Sequence, residues 1–115
     1  MIGLMRLTTA IAIVTLSASA SAATAICAGT VSSVGIHTPG LLAIGIGTGP
    51  AFIICNVETV QFRQSTTACR QMLAVASTAY ALRKNVLLYV DNAPTTNCAD
   101  IPAWFVADTR YLEAR

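Results

Sequence analysis

Between Ser65 and Asp91 the spacing of the apolar positions changes, and that change sets the plan of the whole chain. Cys69, Met72, Leu73, Ala76, Ala79, Tyr80 and Leu82 recur at three- and four-residue steps, the period of a helix with one buried face. Ser65 or Thr66 caps the first turn, because a hydroxyl there accepts a bond from an otherwise unpaired backbone N–H. Arg83 and Lys84 fall in the last turn, where the helix dipole favours cations. Asn85 follows, a residue that tolerates the left-handed conformation that ends helices. Val86–Val90 (VLLYV) is then a short β-rich run. Within it Tyr89 alternates with Leu88 and Val90, so it faces outward if they face in.

Ahead of the helix the period is two. Cys27 to His37 reads as a first strand, and Val31 breaks the alternation that Val34 and Ile36 follow, which predicts a bulge near Ser32–Ser33. Thr38-Pro39-Gly40 is a turn. Leu41 to Gly47 alternates bulky Leu42, Ile44 and Ile46 with small Ala43, Gly45 and Gly47, so a helix or another chain is expected close to the small face. Thr48-Gly49-Pro50 turns the chain again, and Ala51 to Thr59 returns as a third strand of an antiparallel meander. After the strand Val86–Asp91, Asn92–Cys98 is a turn-rich loop. Pro102 stops any helix at Ile101, and Trp104–Glu113 (WFVADTRYLE) makes a last strand. Three strands, a helix and two strands give a mainly β, α+β chain. That order suits a small five-stranded OB-fold barrel with the helix between strands three and four. It suits a two-layer sheet with the helix on one face equally well.

A chain of 115 residues is one domain. Its 55% hydrophobic content is somewhat higher at the amino end. There Arg6 precedes the apolar run Leu7–Leu16 and the small-residue stretch SASASAATA, the pattern of a secretory signal peptide. The expected division is 1–22, signal peptide, and 23–115, folded domain. The strongly apolar run is about half of the ~20 residues that spanning requires, so no membrane span is expected after cleavage and the product is secreted or periplasmic. Without Arg6, six basic residues face five acidic ones, a net charge of +1. Only Arg83 and Lys84 are adjacent, which argues against nucleic acid as a partner.

All four cysteines, Cys27, Cys55, Cys69 and Cys98, lie beyond the signal. An even count in a small exported chain reads as two disulfides, and the spacings contain no C-x-x-C pair for zinc. Three pairings are possible and the spacing does not choose among them. Placement of the elements favours Cys55–Cys69, tying a strand to the helix, with Cys27–Cys98 tying the first strand to a late loop. One bridge with two buried thiols is the competing arrangement.

The stretch AYALRKNVLLYVDNAP (Ala79–Pro94) resembles the helix end and following strand of the B subunits of AB-five bacterial toxins, most closely the pertussis toxin group. The likeness reaches upstream to the strand carrying Cys55 and covers about half of the mature chain. The frame CN…TTAC…CADIPAW is similar to a group of small exported proteobacterial proteins. Resemblance to the toxin group implies an OB-fold, a homo-oligomeric ring of five subunits whose helices line a pore, and recognition of glycan on the outer surface. It tips the fold expectation toward the barrel. No sugar-contacting residue carries over by position, and the segment with Trp104 and Tyr111 departs from the toxin pattern.

Catalytic chemistry is weakly represented. His37 is the only histidine, beside a turn and without a serine or cysteine nucleophile motif around it, so it reads as a turn residue rather than a general base. Asp91, Asp100 and Asp108 lie near turns but form no D-x-D-x-D-G loop, so they read as solvated acids rather than calcium ligands. GIGTGP (Gly45–Pro50) has neither the lysine nor the following helix of a phosphate loop and reads as a hairpin turn. No cofactor or metal is implied. Sugar binding needs exposed aromatic faces with polar groups beside them, and the glycan-binding candidates are Phe62, Arg63, Tyr89 and Trp104. Each also has a plain structural role open to it: a cross-strand contact for Tyr89, a plug over one barrel end for Trp104. On the helix, Ala74, Thr78 and Ala81 leave a small-residue outer face suited to packing against a neighbouring subunit. The expectation is a binding module rather than an enzyme. The alternative is a periplasmic structural or protein-binding factor.

Overall fold

The computed structural model describes Gly3, Ala10 and residues 23–115; the expected signal peptide, 1–22, otherwise lies outside the described residues. In chain order the elements are β1 (Ala23–His37), β2 (Leu41–Ile46), β3 (Ala51–Asn56), α1 (Thr66–Leu82), β4 (Asn85–Ala93), a 3-10 turn (Cys98–Asp100) and β5 (Thr109–Ala114). The strands form one antiparallel sheet in the order β3-β2-β1-β4-β5. The chain is thus mainly β with one helix.

Strand β1 is long because it serves two partners. Ala23–Thr30 pairs with β4 and Val31–His37 pairs with β2. The register slips between Val31 and Ser33, at the expected bulge. Opposite that bulge, a Cβ on Gly45 would lie 2.5 Å from Ser33 Oγ and 2.8 Å from Ser32 Oγ. What crowds Gly45 on the small face of β2 is therefore the bulge's own serines, not the helix or other chain expected from the sequence.

The ladder is not continuous around the sheet, since β3 and β5 are its two ends. The ends meet through the segment just before β5. Trp104 N donates to Ala51 O (2.8 Å), Ile53 N to Phe105 O (2.9 Å) and Ala107 N to Ile53 O (2.8 Å), around a single parallel bridge between Ile53 and Val106. The last strand expected from Trp104 onward is thus split: its first part lies along β3, and Thr109–Ala114 alone pairs with β4. Asn92 makes the break. Its Oδ1 accepts from Asp108 N (2.7 Å) and its Nδ2 donates to Val106 O (3.0 Å), taking backbone groups that a continuous ladder would use.

Ser65 caps α1, its Oγ accepting from Ala68 N at 3.0 Å. Cys69, Ala76 and Ala79 are buried, and Met72 and Leu73 pack against the core. Tyr80 and Leu82, read from the period as buried, are exposed. Leu82 falls about 120° around the helix from Ala76, off the core stripe, and Tyr80 sits in the last turn beside Thr30 and Arg83. The helix also ends earlier than expected. Arg83 is itself the left-handed residue (φ 53°), Lys84 N donates to Ala79 O (2.9 Å), and Asn85 opens β4 opposite Thr30. Neither cation is therefore in the last helical turn.

The core is filled by Leu42, Ile44, Phe52, Ile54, Leu88 and Ile101, all essentially without solvent contact, each contributing about 1.5–3 kcal/mol of burial. Two disulfides staple it: Cys55–Cys69 joins β3 to the first turn of α1, and Cys27–Cys98 joins β1 to the 3-10 turn. Strand β3 stops at Asn56 rather than Thr59 because the buried Asn56 organises the next loop. Its Oδ1 accepts from Glu58 N (2.8 Å) and Thr59 N (3.1 Å), while its Nδ2 donates to Gln61 Oε1 (2.9 Å). Gly40, at φ 131°, lies against this loop, and a Cβ there would come within 2.7 Å of Asn56 Oδ1. Among the described residues no helix is long and apolar enough to cross a membrane.

Candidate binding face

Strand β4 sends Val86, Leu88 and Val90 into the core and leaves Leu87, Tyr89 and Asp91 half-buried on the outer face, as alternation requires. Register then sets a row across three strands, Ile26 opposite Tyr89 and Tyr89 opposite Tyr111. Ile26 is 52% exposed and Tyr111 47%. The tyrosine rings meet edge to face, with centroids 5.7 Å apart and planes at 75°, a geometry favoured by the ring quadrupoles.

A second irregularity shapes this face. The β4–β5 register slips between Tyr89 and Val90, leaving Arg110 as the extra residue between Thr109 and Tyr111. A bulge breaks the alternation of sides, and here Arg110 and Tyr111 are both exposed. The Arg110 guanidinium carbon lies 5.5 Å from the Tyr89 ring centroid, and its Nη2 is 2.9 Å from Asp91 Oδ1. Arg115 Nε is 3.5 Å from Glu113 Oε2. Leu87, Tyr89, Arg110, Tyr111, Glu113 and Arg115 line a shallow groove of about 470 Å³. Desolvation, and then the Glu113 carboxylate, push the Tyr111 hydroxyl above its ordinary range. Like any tyrosine at neutral pH, it keeps its proton and can donate.

Phe62 and Arg63 occupy a two-residue turn closed by the Gln61–Gln64 bridge. Both are left-handed, at φ 54° and 60°, the backbone of a type I′ turn that Asn-Gly usually fills. Holding side-chain-bearing residues there costs of order 1–3 kcal/mol each. The Gln64 side chain donates to Thr109 O behind them. Arg63 reaches Asp108 at 4.0 Å with its own side chain 89% exposed, a contact worth about 0–1 kcal/mol. Phe62, Arg63, Asp91, Asn92, Val106 and Asp108 line a groove of about 540 Å³, which adjoins the tyrosine groove through the Asp91–Arg110 pair.

Trp104 lies elsewhere. It too is left-handed (φ 62°) and is 57% exposed. Its ring stands edge-on to His37 at 6.1 Å, and Leu41 and Ile53 complete an apolar nook of about 320 Å³. His37 is an exposed turn residue, its Nδ1 2.9 Å from Thr38 O. Asp91 and Asp108 pair with arginines and Asp100 sits exposed in the 3-10 turn. Among the described residues no group of three or more His, Cys, Asp or Glu is placed to hold a metal ion.

The four candidates from the sequence thus fall in two adjoining grooves and one separate nook. Ile26, Arg110 and Tyr111 were not among them. Tyr111 becomes a neighbour of Tyr89 only through the β4–β5 register, and the bulge at Arg110 hides that register from any period-two reading. The chain matches no family model, no curated protein and no solved structure.

Proposed function

We propose that this chain is an exported binding module that recognises glycan through the outer face of β1, β4 and β5. The observation that carries the reading is the row Ile26, Tyr89 and Tyr111, an exposed aromatic and aliphatic strip bordered by Arg110, Asp91 and Glu113. A pyranose has a C–H-rich face and a rim of hydroxyls. Tyrosine rings suit the first, and alternating donors and acceptors suit the second. The two disulfides are compatible with an oxidising destination.

The same reading covers fold and assembly. A sheet whose end strand β3 meets the segment just before β5 at Ile53–Val106, with the helix between β3 and β4 in chain order, is compatible with the OB plan, and the likeness of Ala79–Pro94 to toxin B subunits supports it. By that likeness the protein forms a ring of five through the exposed Ala74, Thr78 and Ala81 of α1, multiplying a weak site by avidity. A glycan array probed with the oxidised protein tests the binding reading. Signal is expected and is lost in Tyr111→Ala; no signal above a denatured control refutes it. Light scattering tests the ring, for which a single-chain mass removes the assembly and leaves the binding face.

A second reading, a protein-binding envelope factor, rests on Trp104, exposed beside His37, Leu41 and Ile53. It predicts capture of a specific envelope protein that Trp104→Ala abolishes, together with an empty glycan array.

A further inference from the structure

Every cation of the outer face stands beside a carboxylate. Arg110 meets Asp91 at 2.9 Å, Arg115 meets Glu113 at 3.5 Å, and Arg63 meets Asp108 at 4.0 Å. Three positive groups thus oppose three negative ones across the two adjoining grooves. We infer that the ligand of the tyrosine groove is an uncharged pyranose, not an acidic, sulfated or phosphorylated sugar. The inference rests on the glycan reading above and narrows it.

An anionic ligand would draw on Arg110 or Arg115. Surface ion pairs are weak, so breaking one is not the main obstacle. The obstacle is what remains: Glu113 stays in the groove's wall and Asp91 just behind Arg110, both close to the incoming charge. Like charges a few ångströms apart at a partly desolvated surface disfavour binding by roughly tenfold or more. The Arg110 guanidinium also lies over the Tyr89 ring, 5.5 Å from its centroid, so drawing it toward an anion gives up that cation–π contact.

A neutral pyranose leaves all of this in place. A guanidinium carries five N–H donors and a carboxylate about four acceptor sites, so each pair keeps groups to spare for sugar hydroxyls. The Tyr111 hydroxyl adds a donor. Ion pairs used in this way are an array of donors and acceptors with no net charge, and binding should depend little on ionic strength.

Matched ligands test the inference, since methyl galactoside and methyl galacturonide differ only in a hydroxymethyl against a carboxylate at C5, as do methyl glucoside and methyl glucuronide. Saturation-transfer NMR and calorimetry on the oxidised protein, at low and high salt, should give the neutral member of a pair at least tenfold tighter and nearly insensitive to salt. Asp91→Asn, an isosteric change, should raise uronide affinity relative to the neutral glycoside several-fold. Glu113→Gln should shift the ratio the same way and serves if the first variant folds poorly. Uronide binding equal to or tighter than its partner, salt-sensitive and lost in Tyr111→Ala, overturns the inference and leaves the glycan reading standing. No change of the ratio in either variant also overturns it. Absence of binding by all four glycosides and by the glycan array removes the glycan reading, and the inference with it.

Discussion

Replacing both cysteines of one bridge by alanine relaxes the unfolded chain and removes two sulfur atoms from the folded one, and the two bridges differ in how these effects balance. Cys55–Cys69 spans a sequence separation of 14 and Cys27–Cys98 one of 71. Loop-closure entropy assigns these about 3 and about 4.4 kcal/mol respectively. Packing works the other way. Cys55 and Cys69 are both fully buried, as is Cys27, whereas Cys98 is only partly buried. Deleting a buried atom of this size costs about 1 kcal/mol, which adds about 2 kcal/mol for the short bridge and about 1–2 kcal/mol for the long one. The gap narrows but keeps its sign, so losing Cys27–Cys98 should cost more by roughly 1 kcal/mol. Urea unfolding of Cys27→Ala/Cys98→Ala and Cys55→Ala/Cys69→Ala, followed by Trp104 fluorescence and far-UV dichroism, measures this directly. The comparison holds if the two variants share an m value. A short-bridge variant as unstable as the long-bridge one, or more so, would show that packing around sulfur, not loop closure, governs the stapling.

Four further outcomes are expected. Gly40→Ala should destabilise by about 1–3 kcal/mol, from positive φ and the approach to Asn56 Oδ1. Gly35→Ala, with open space at its Cβ, should change stability by less than about 1 kcal/mol in the same urea titration. Ser65→Ala removes the acceptor for Ala68 N and should lower stability by about 1 kcal/mol, restored in part by Ser65→Asp. The Tyr111 phenol, raised by desolvation and by Glu113, should titrate later than an ordinary tyrosine when ionisation is followed by ultraviolet absorbance. Tyr111→Phe should delete that late component, and Glu113→Gln should move it only part of the way back. Because the folded value is raised, the stability it contributes is complete below the ordinary phenol range and is lost as pH climbs through the raised value. An early-titrating Tyr111 would contradict the described surroundings.

Elements whose signals are local were legible in the sequence. The bulge at Ser32–Ser33 announced itself because Val31 breaks a period-two pattern, and Ser65 because a hydroxyl precedes a helical run. The strand core of β4 was legible because Leu88 and Val90 flank Tyr89. Features set by distant partners were not. The break before β5 depends on the Asn92 side chain reaching Val106 and Asp108, and nothing in the run WFVADTRYLE marks it. Asn85 has the better left-handed propensity, yet Arg83 takes that conformation, with Asn85 already paired to Thr30 in β4. The binding face shares this origin: Tyr89 was visible as an outward aromatic, whereas Arg110 and Tyr111 join it through a register that only the folded sheet defines.

The double pairing of β1 has a consequence for the order in which the protein can be made. A chain synthesised from its amino end completes β1, β2 and β3 early, so the later half of β1 finds β2 at once. The earlier half, Ala23–Thr30, waits until β4 has emerged. Cys27 lies in that waiting half, and its partner Cys98 appears after Cys55 and Cys69. During synthesis Cys27 therefore meets two wrong thiols before the right one, and Cys55 first of all. Early oxidation should accumulate a Cys27–Cys55 species that thiol exchange must later resolve. Pulse-labelled chains trapped with an alkylating agent should contain it, and chains that pass directly to the two final bridges would mean that β1 stays shielded until β4 arrives.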